Sequence, residues 1–251
     1  MIQNDSHVIR KETCPECRKL GNDRSGDNLA VYSDGHCYCY RCGYRTGRRS
    51  FTQNKDSART PTDGTSIVLP SDVTTELPFE AKDWLKQYQL TRLDTNCNHI
   101  MWSEKWSRII FPYFNESELL AWQGRYVGED KSKAKWFSQG KIHEIIHPIK
   151  VVARKAILVE DIVSAIKLSN HTGAIPLFGS SLSTQQILRL RTVVNEVWLW
   201  LDPDMRNKSV KFAHVCNLLG LTAHVIFSDK DPKEHDHADI ANILRENQAT
   251  P

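Results

Sequence analysis

No stretch of this 251-residue chain is apolar for long enough to cross a bilayer. The nearest approach is the short run Val197-Trp-Leu-Trp-Leu201, far below the ~20 residues that a spanning helix needs. The opening residues Met-Ile-Gln-Asn-Asp carry no apolar secretion region, so a soluble protein in a reduced, cytoplasmic setting is expected. Net charge is also scarce: 33 Lys and Arg against 30 Asp and Glu leave +3, too little to argue for nucleic acid by itself. Its distribution says more. Arg41, Arg45, Arg48 and Arg49 crowd one short segment, and Lys131, Lys133 and Lys135 alternate in another. Residues 50–72 have few large apolar side chains and many Ser, Thr, Asp and Asn. Such a composition cannot bury a core and reads as a flexible linker. Internal repeats and low-complexity tracts are absent.

Against this background four cysteines stand out, paired as Cys14-Pro-Glu-Cys17 and Cys39-Tyr-Arg-Cys42. Each pair sets two thiolates on one side of a tight knuckle, and two knuckles supply the tetrahedral sulfur set of a structural Zn²⁺ site. The 21 residues between the pairs contain hairpin material, Asn28-Leu-Ala-Val-Tyr-Ser33, a turn at Asp34-Gly35, then His36-Cys-Tyr-Cys-Tyr40. A zinc β-ribbon over residues 1–49 is expected. Cys37 is a fifth sulfur, on the same strand face as Cys39, but the knuckle spacing favours Cys39 with Cys42. Cys97 and Cys216 read as free, mostly buried thiols.

A second body begins after the linker. Phe79-Glu-Ala-Lys-Asp-Trp-Leu-Lys-Gln-Tyr-Gln-Leu90 reads as a helix, and 108–114 and 118–127 as strands of an antiparallel sheet. The last hundred residues change rhythm. Strands at 155–160, 174–178, 196–202 and 222–227 alternate with helices through Ile162–Leu168, from a Ser183 cap onward, around Phe212–Leu219, and near Ile240. Four alternations predict a compact, mostly parallel sheet covered by helices. The boundaries expected are 73–152 for the first part of this body and 153–251 for the second.

Acidic residues follow the carboxyl ends of three of these strands: Glu160, Asp202-Pro-Asp204, and Asp231-Pro-Lys-Glu234. Open α/β sheets place ligands there. Carboxylates gathered in one crevice repel each other unless a cation intervenes, which implies Mg²⁺ or Mn²⁺. Such an ion polarises a phosphoryl group and activates an attacking hydroxyl. The cluster His235-Asp236-His237 with Asp239 reads as a solvated helix start rather than a second zinc site.

In this order, Glu160, Asp202-Pro-Asp204 and Asp231-Pro-Lys resemble the Toprim domain of DnaG-type primases, topoisomerases and some nucleases. With the ribbon in front, the chain from about residue 10 onward resembles the primase portion of phage primase-helicases. The resemblance implies a zinc ribbon linked to an α+β, α/β Toprim-type polymerase domain. It also implies short RNA primers made on single-stranded DNA from ribonucleoside triphosphates, in a phage protein of a bacterial cytoplasm. His36 falls where the family contacts template bases. Arg125, Lys131 and Lys135, interleaved with Tyr126, Trp136 and Phe137, match the stretch that handles nucleotide and template. Glu160 is implied as general base or metal ligand, with Asp202 and Asp204 holding Mg²⁺ and Asp231 completing the acidic rim. Two positions depart from the family: Asp161 stands for a glycine, and Ser164 for an aspartate. No G-x-x-x-x-G-K-[ST] loop is present, so a replicative helicase is expected to act in trans. The alternatives weighed are a Toprim nuclease and a non-catalytic single-strand-binding replication factor.

Overall fold

The computed structural model describes residues 8–19, 21, 23, 26–33, 35–39, 41–42, 44–46, 67–130 and 132–249. Lys131, Arg48, Arg49 and most of the 50–72 linker lie outside these residues. The chain divides into two compact units, Met1–Gly64 and Thr65–Pro251. Among the described residues no helix is long and apolar enough to cross a membrane.

The first unit is a four-stranded antiparallel sheet in the order β1 (Val8–Glu12), β2 (Leu29–Tyr32), β3 (Cys37–Cys39), β4 (Arg45–Thr46), with a short helix α1 (Pro15–Lys19) after β1. Its core is small: Cys14, Cys17, Leu29 and Cys39, with Cys37 and Tyr44 packed partly against them. Among the described residues Ala30 and Val31 are also buried, and a cluster this small is of the kind that bound metal supports.

The second unit holds two sheets. One is antiparallel, β5 (Val73–Thr74), then, after α2 (Phe79–Gln87) and α3 (Arg92–Cys97), β6 (Met101–Ser103), β7 (Arg108–Asn115), β8 (Glu118–Tyr126) and β9 (Trp136–Gly140), paired in that order. The other is parallel and contains β10 (Lys155–Val159), β11 (Ala174–Pro176), β12 (Glu196–Leu199) and β13 (Thr222–Val225) in the spatial order β11-β10-β12-β13. Helices α4 (Ile162–Ser169), α5 (Thr184–Val193), α6 (Arg206–Leu218) and α7 (His237–Glu246) alternate with these strands. The caps follow the sequence: Ser183 and Gln186 form a capping box on α5, and Asp236 caps α7. The α7 cap agrees with a helix start at 235–239, but His235 itself is buried rather than solvated.

Side chains of the parallel sheet alternate between two cores. Ala156, Leu158, Val197 and Leu199 pack on α5 and α6, whereas Ile157, Val159, Trp198 and Trp200 pack on α4 and α7. A third core joins the two sheets: Ile162, Val163 and Ile166 of α4 meet Ile109, Phe111, Tyr113 and Ala121 of the antiparallel sheet. Helix α4 is therefore wedged between sheets, and every residue from Ile162 to Leu168 is buried. Cys97 is exposed, contrary to its reading as buried, because it ends α3 on the solvent side; Cys216 is buried.

Strand β10 is reached closely by the chain that enters β11. A side chain at Gly173 would bring its Cβ 2.4 Å from the Lys155 carbonyl and 3.2 Å from that of Lys150. Both obstacles are backbone, so Gly173→Ala should lower the unfolding free energy by about 1–3 kcal/mol in a urea titration. Unchanged stability would contradict this packing.

Candidate metal centre and active-site cleft

In the first unit, Cys14 immediately precedes α1 and Cys17 lies one turn on, so both sulfurs face the same way. Cys39 ends β3, and its backbone N–H donates to the Tyr44 carbonyl at 2.9 Å, closing the second knuckle around Cys42. The sulfurs of Cys14, Cys17, Cys39 and Cys42 lie within 4.8 Å of one another. Sγ pairs stand at 3.5 Å (Cys14–Cys42) and 3.6 Å (Cys17–Cys39). Among the described residues this is the one group of three or more metal-ligating side chains so gathered. Cys37 touches this core but is not part of the group. Burial pushes the Cys39 thiol up, yet backbone N–H groups of Cys42 and Arg41 outweigh it and bring the thiol down to about 7. A four-sulfur set of this kind fits Zn²⁺. Asp23 Oδ2 accepts from the Cys14 N–H at 2.6 Å and so steadies the first knuckle.

His36 lies just before β3, half-buried, its ring stacked on Tyr32 with centroids 4.1 Å apart and planes at 11°. Arg45 lies over Tyr38, 5.2 Å from the ring centroid. Rings and a cation thus share this sheet.

In the second unit the chain runs from β10 to β11 on one side and returns to β12 on the other. The strand order reverses at β10 and β12, which is where a doubly wound sheet opens a crevice at its carboxyl end. Glu160 follows β10, Asp202 follows β12, and the Asp202 N–H donates to Glu160 Oε1 at 3.2 Å. Together with Asp161, Lys233, Phe178 and Gly179 they form one wall of a cleft of about 360 Å³. Phe178 adopts φ 57° and Gly179 φ 146°. A bulky residue in the left-handed region is uncommon and marks a constrained wall.

The opposite wall comes from the antiparallel sheet and α2: Gln123, Arg125, Trp136, Trp84 and Tyr88. Arg125 and Trp136 are cross-strand partners on β8 and β9. The Arg125 guanidinium lies 5.0 Å from the Trp84 ring centroid and 5.6 Å from that of Trp136. Its Nε is buried without a hydrogen-bond partner. Burial lowers its pKa while Tyr88 and Asp161 raise it. A guanidinium held between indoles and facing carboxylates across a cleft is positioned for an anionic ligand.

The acidic residues fall into two sets. Burial, and then Asp231 and Glu160, push the Asp202 carboxyl up to about 8. Burial first, with Asp204, Asp231 and Asp161, also pushes Glu160 up, partly offset by the Asp202 N–H. Asp202 Oδ1 is buried and has no hydrogen-bond partner. Hard oxygens of this kind suit a bound Mg²⁺ or Mn²⁺. Asp204 is exposed beside them.

Asp161 and Asp231 are different, because both are engaged. Asp161, in the glycine position of the resemblance, has φ −129°, an extended conformation any residue adopts, and caps α4 through Val163 N–H and Ser164 N–H. Asp231 caps the 3₁₀ turn Pro232–Glu234 rather than the final helix. Lys233 Nζ donates to Asp161 Oδ2 at 2.9 Å and to Asp231 Oδ2. Ser164 Oγ lies within hydrogen-bond distance of both of the same carboxylates, at 3.0 and 2.9 Å, and shares its one proton between them. Burial would lower the Lys233 pKa, but the two aspartates outweigh it and hold it well above the usual lysine range.

The cleft thus brings together Glu160, Asp202 and Arg125, but not the whole basic stretch. Lys135 is exposed and contributes its carbonyl to Arg108 and Tyr126 instead, and Lys133 lies over Tyr126. Sequence reasoning missed Lys233, Trp84 and Tyr88. The Trp84/Tyr88 spacing of four on an amphipathic helix was a usable signal. Lys233 stood inside the Asp231-Pro-Lys motif without a role.

Metal analysis tests the ribbon: Cys39→Ser should lose zinc and unfold the first unit, while Cys37→Ser keeps the metal. The reverse pattern would overturn the ligand set. For the cleft, an aspartate raised from about 4 to about 8 stabilises the fold fully only below its unfolded pKa, and that contribution is lost as pH rises to the folded pKa. Without divalent ions, wild type should therefore lose stability between about pH 4 and 8, and Asp202→Asn should flatten that decline in thermal denaturation. A wild-type slope retained in the variant would refute it.

No protein-family profile and no curated protein matches the chain in sequence. Solved structures do match it in fold. The zinc-binding and RNA polymerase domains of the Aquifex aeolicus primase share 16% identity at a TM-score of 0.59, over 69% of this chain and 56% of that one. The chain therefore spans little more than half of that relative. The primase fragment of the bacteriophage T7 primase-helicase protein shares 16% identity at 0.53, over 96% of this chain and 99% of that one. A DnaG primase catalytic domain bound to ssDNA shares 12% at 0.56, over 68% and 71%. The chain has the fold of the DnaG-type primases, a zinc-ribbon domain followed by a Toprim-like α/β body.

Proposed function

We propose that this protein is a DNA primase that makes short RNA primers on single-stranded DNA, starting at a short template sequence. The observation that carries the reading is the cleft itself. Paired carboxylates at the β10/β12 switch point face an arginine clasped by two tryptophans, within the fold that DNA primases share. Domain roles follow as residues 1–49 for template recognition, 50–72 as linker, and 73–152 with 153–251 as the polymerising body.

In this reading Glu160, Asp202 and Asp204 hold Mg²⁺ or Mn²⁺, which when bound neutralises triphosphate charge and sharpens an attacking 3′-hydroxyl. The chain's own residues do the rest. Glu160, whose carboxyl is raised by burial, accepts the proton of that hydroxyl. Arg125 binds phosphate oxygens, and its indole neighbours keep it aimed and exclude water. Asp231 is a positioning residue that holds Lys233. In the ribbon, His36 with Tyr32 stacks on template bases, while Lys135, exposed outside the cleft, attracts the phosphate backbone, as does Lys131.

One assay tests this against a nuclease or a non-catalytic binding factor. Purified protein is incubated with single-stranded DNA, Mg²⁺ and labelled ribonucleotides, and new short oligomers are expected. Shortened DNA would indicate a nuclease, and no change a binding factor. Asp202→Asn and Asp204→Asn should each reduce primer synthesis on the order of a hundredfold while DNA retention persists. His36→Ala should abolish start-site choice but still extend a preformed primer. Near wild-type synthesis by both aspartate variants would sink the proposal.

A further inference from the structure

Lys233 places an ammonium where the carboxylate pattern alone calls for a metal. All four oxygens of Asp161 and Asp231 are already engaged. Asp161 Oδ1 accepts from Val163 N–H at 2.8 Å and Ser164 N–H at 3.0 Å, and Oδ2 accepts from Lys233 Nζ at 2.9 Å and Ser164 Oγ at 3.0 Å. Asp231 Oδ1 accepts from the Lys233 backbone N–H at 3.5 Å and lies 2.9 Å from Ser164 Oγ, whose one proton the two aspartates share, and Oδ2 accepts from Lys233 Nζ. Glu160 and Asp202 contrast with this: one N–H reaches Glu160, and Asp202 Oδ1 has no partner. The ammonium is also anchored from behind, since buried Lys167 donates to the carbonyls of Lys233 at 3.0 Å and of His235.

We propose that the Lys233 ammonium is a tethered substitute for a divalent cation between Asp161 and Asp231, so that the cleft takes one divalent ion, at Glu160 and Asp202, rather than two. The inference rests on the primase reading only for that one ion. An ammonium between two carboxylates supplies the neutralisation a second ion would supply, and its carbon stem keeps it from leaving with product. The pair Asp161 and Ser164, the two departures from the resembled pattern, then has a physical reason. Asp161 provides the second carboxylate that a lysine needs, and Ser164 bridges both aspartates without adding charge.

The test counts Mn²⁺ ions on the full, zinc-loaded chain by electron paramagnetic resonance titration, with thermal denaturation in parallel. Wild type and Lys233→Arg should bind one ion. Lys233→Gln, which keeps the stem and removes the charge, should bind two and show a larger Mn²⁺-dependent rise in melting temperature. Asp161→Asn should still bind one, because Asp161 contributes no ligand. Two ions on wild type, equal counts on wild type and folded Lys233→Gln, or loss of the ion in Asp161→Asn would each overturn the proposal. Should Lys233→Gln fail to fold, the wild-type and Asp161→Asn counts still decide it. No ion on wild type but one on Lys233→Gln would leave the substitution standing and remove the metal reading at Glu160 and Asp202.

Discussion

Helix α4 has no solvent face, and much of the second unit follows from that constraint. A helix wedged between two sheets can carry polar side chains only if each finds partners, since an unpaired buried ammonium costs several kcal/mol. Ser164 and Lys167 sit on successive turns and point to one segment, residues 231–235. Lys167, 1% exposed, holds that segment by its carbonyls. The segment in turn delivers Lys233 and Asp231 to the cleft. Packing demand on one helix thus becomes placement of charge at the site.

The charge pattern of the cleft is internally consistent. The carboxylates pushed toward their neutral forms are Glu160, which accepts a single N–H, and Asp202, whose Oδ1 has no partner. The lysine that touches two aspartates is held charged. Across the opening, half-buried Arg125 has its Nε shielded from water and given ring faces in place of hydrogen bonds. A guanidinium in that state gains more from an anionic ligand than a solvated one does, because less water must be displaced.

Much of this was readable from the residues. Continuous apolar runs such as Ala156-Ile-Leu-Val159 mark strands buried on both faces, and the Ser183 box marks its helix start. The cysteine knuckles declare their own geometry. What stayed hidden depends on tertiary packing. Nothing local separates Arg125, which faces the cleft, from Lys135, which faces solvent ten residues further along the same hairpin. Cys97 looked buried beside mixed residues, but the turn of α3 carries it outward. The pairing of Lys233 with Asp161 spans 72 positions and leaves no periodic trace. That Asp161, standing for a glycine, caps α4 from an extended backbone was likewise not marked by its local sequence.

The core that joins the sheets also limits how the chain can be divided. Ile162, Val163, Ile166 and Phe178 belong by sequence to the parallel half, yet they bury against Phe111 and Tyr113 of the antiparallel half. A cut between residues 152 and 153 would separate two halves that each keep a sheet but lose a shared face. Neither fragment would then be an independent module, and swapping one half for that of a distant relative would require carrying the α4 surface along with it. The second unit is one inheritable body, in spite of its two sheets.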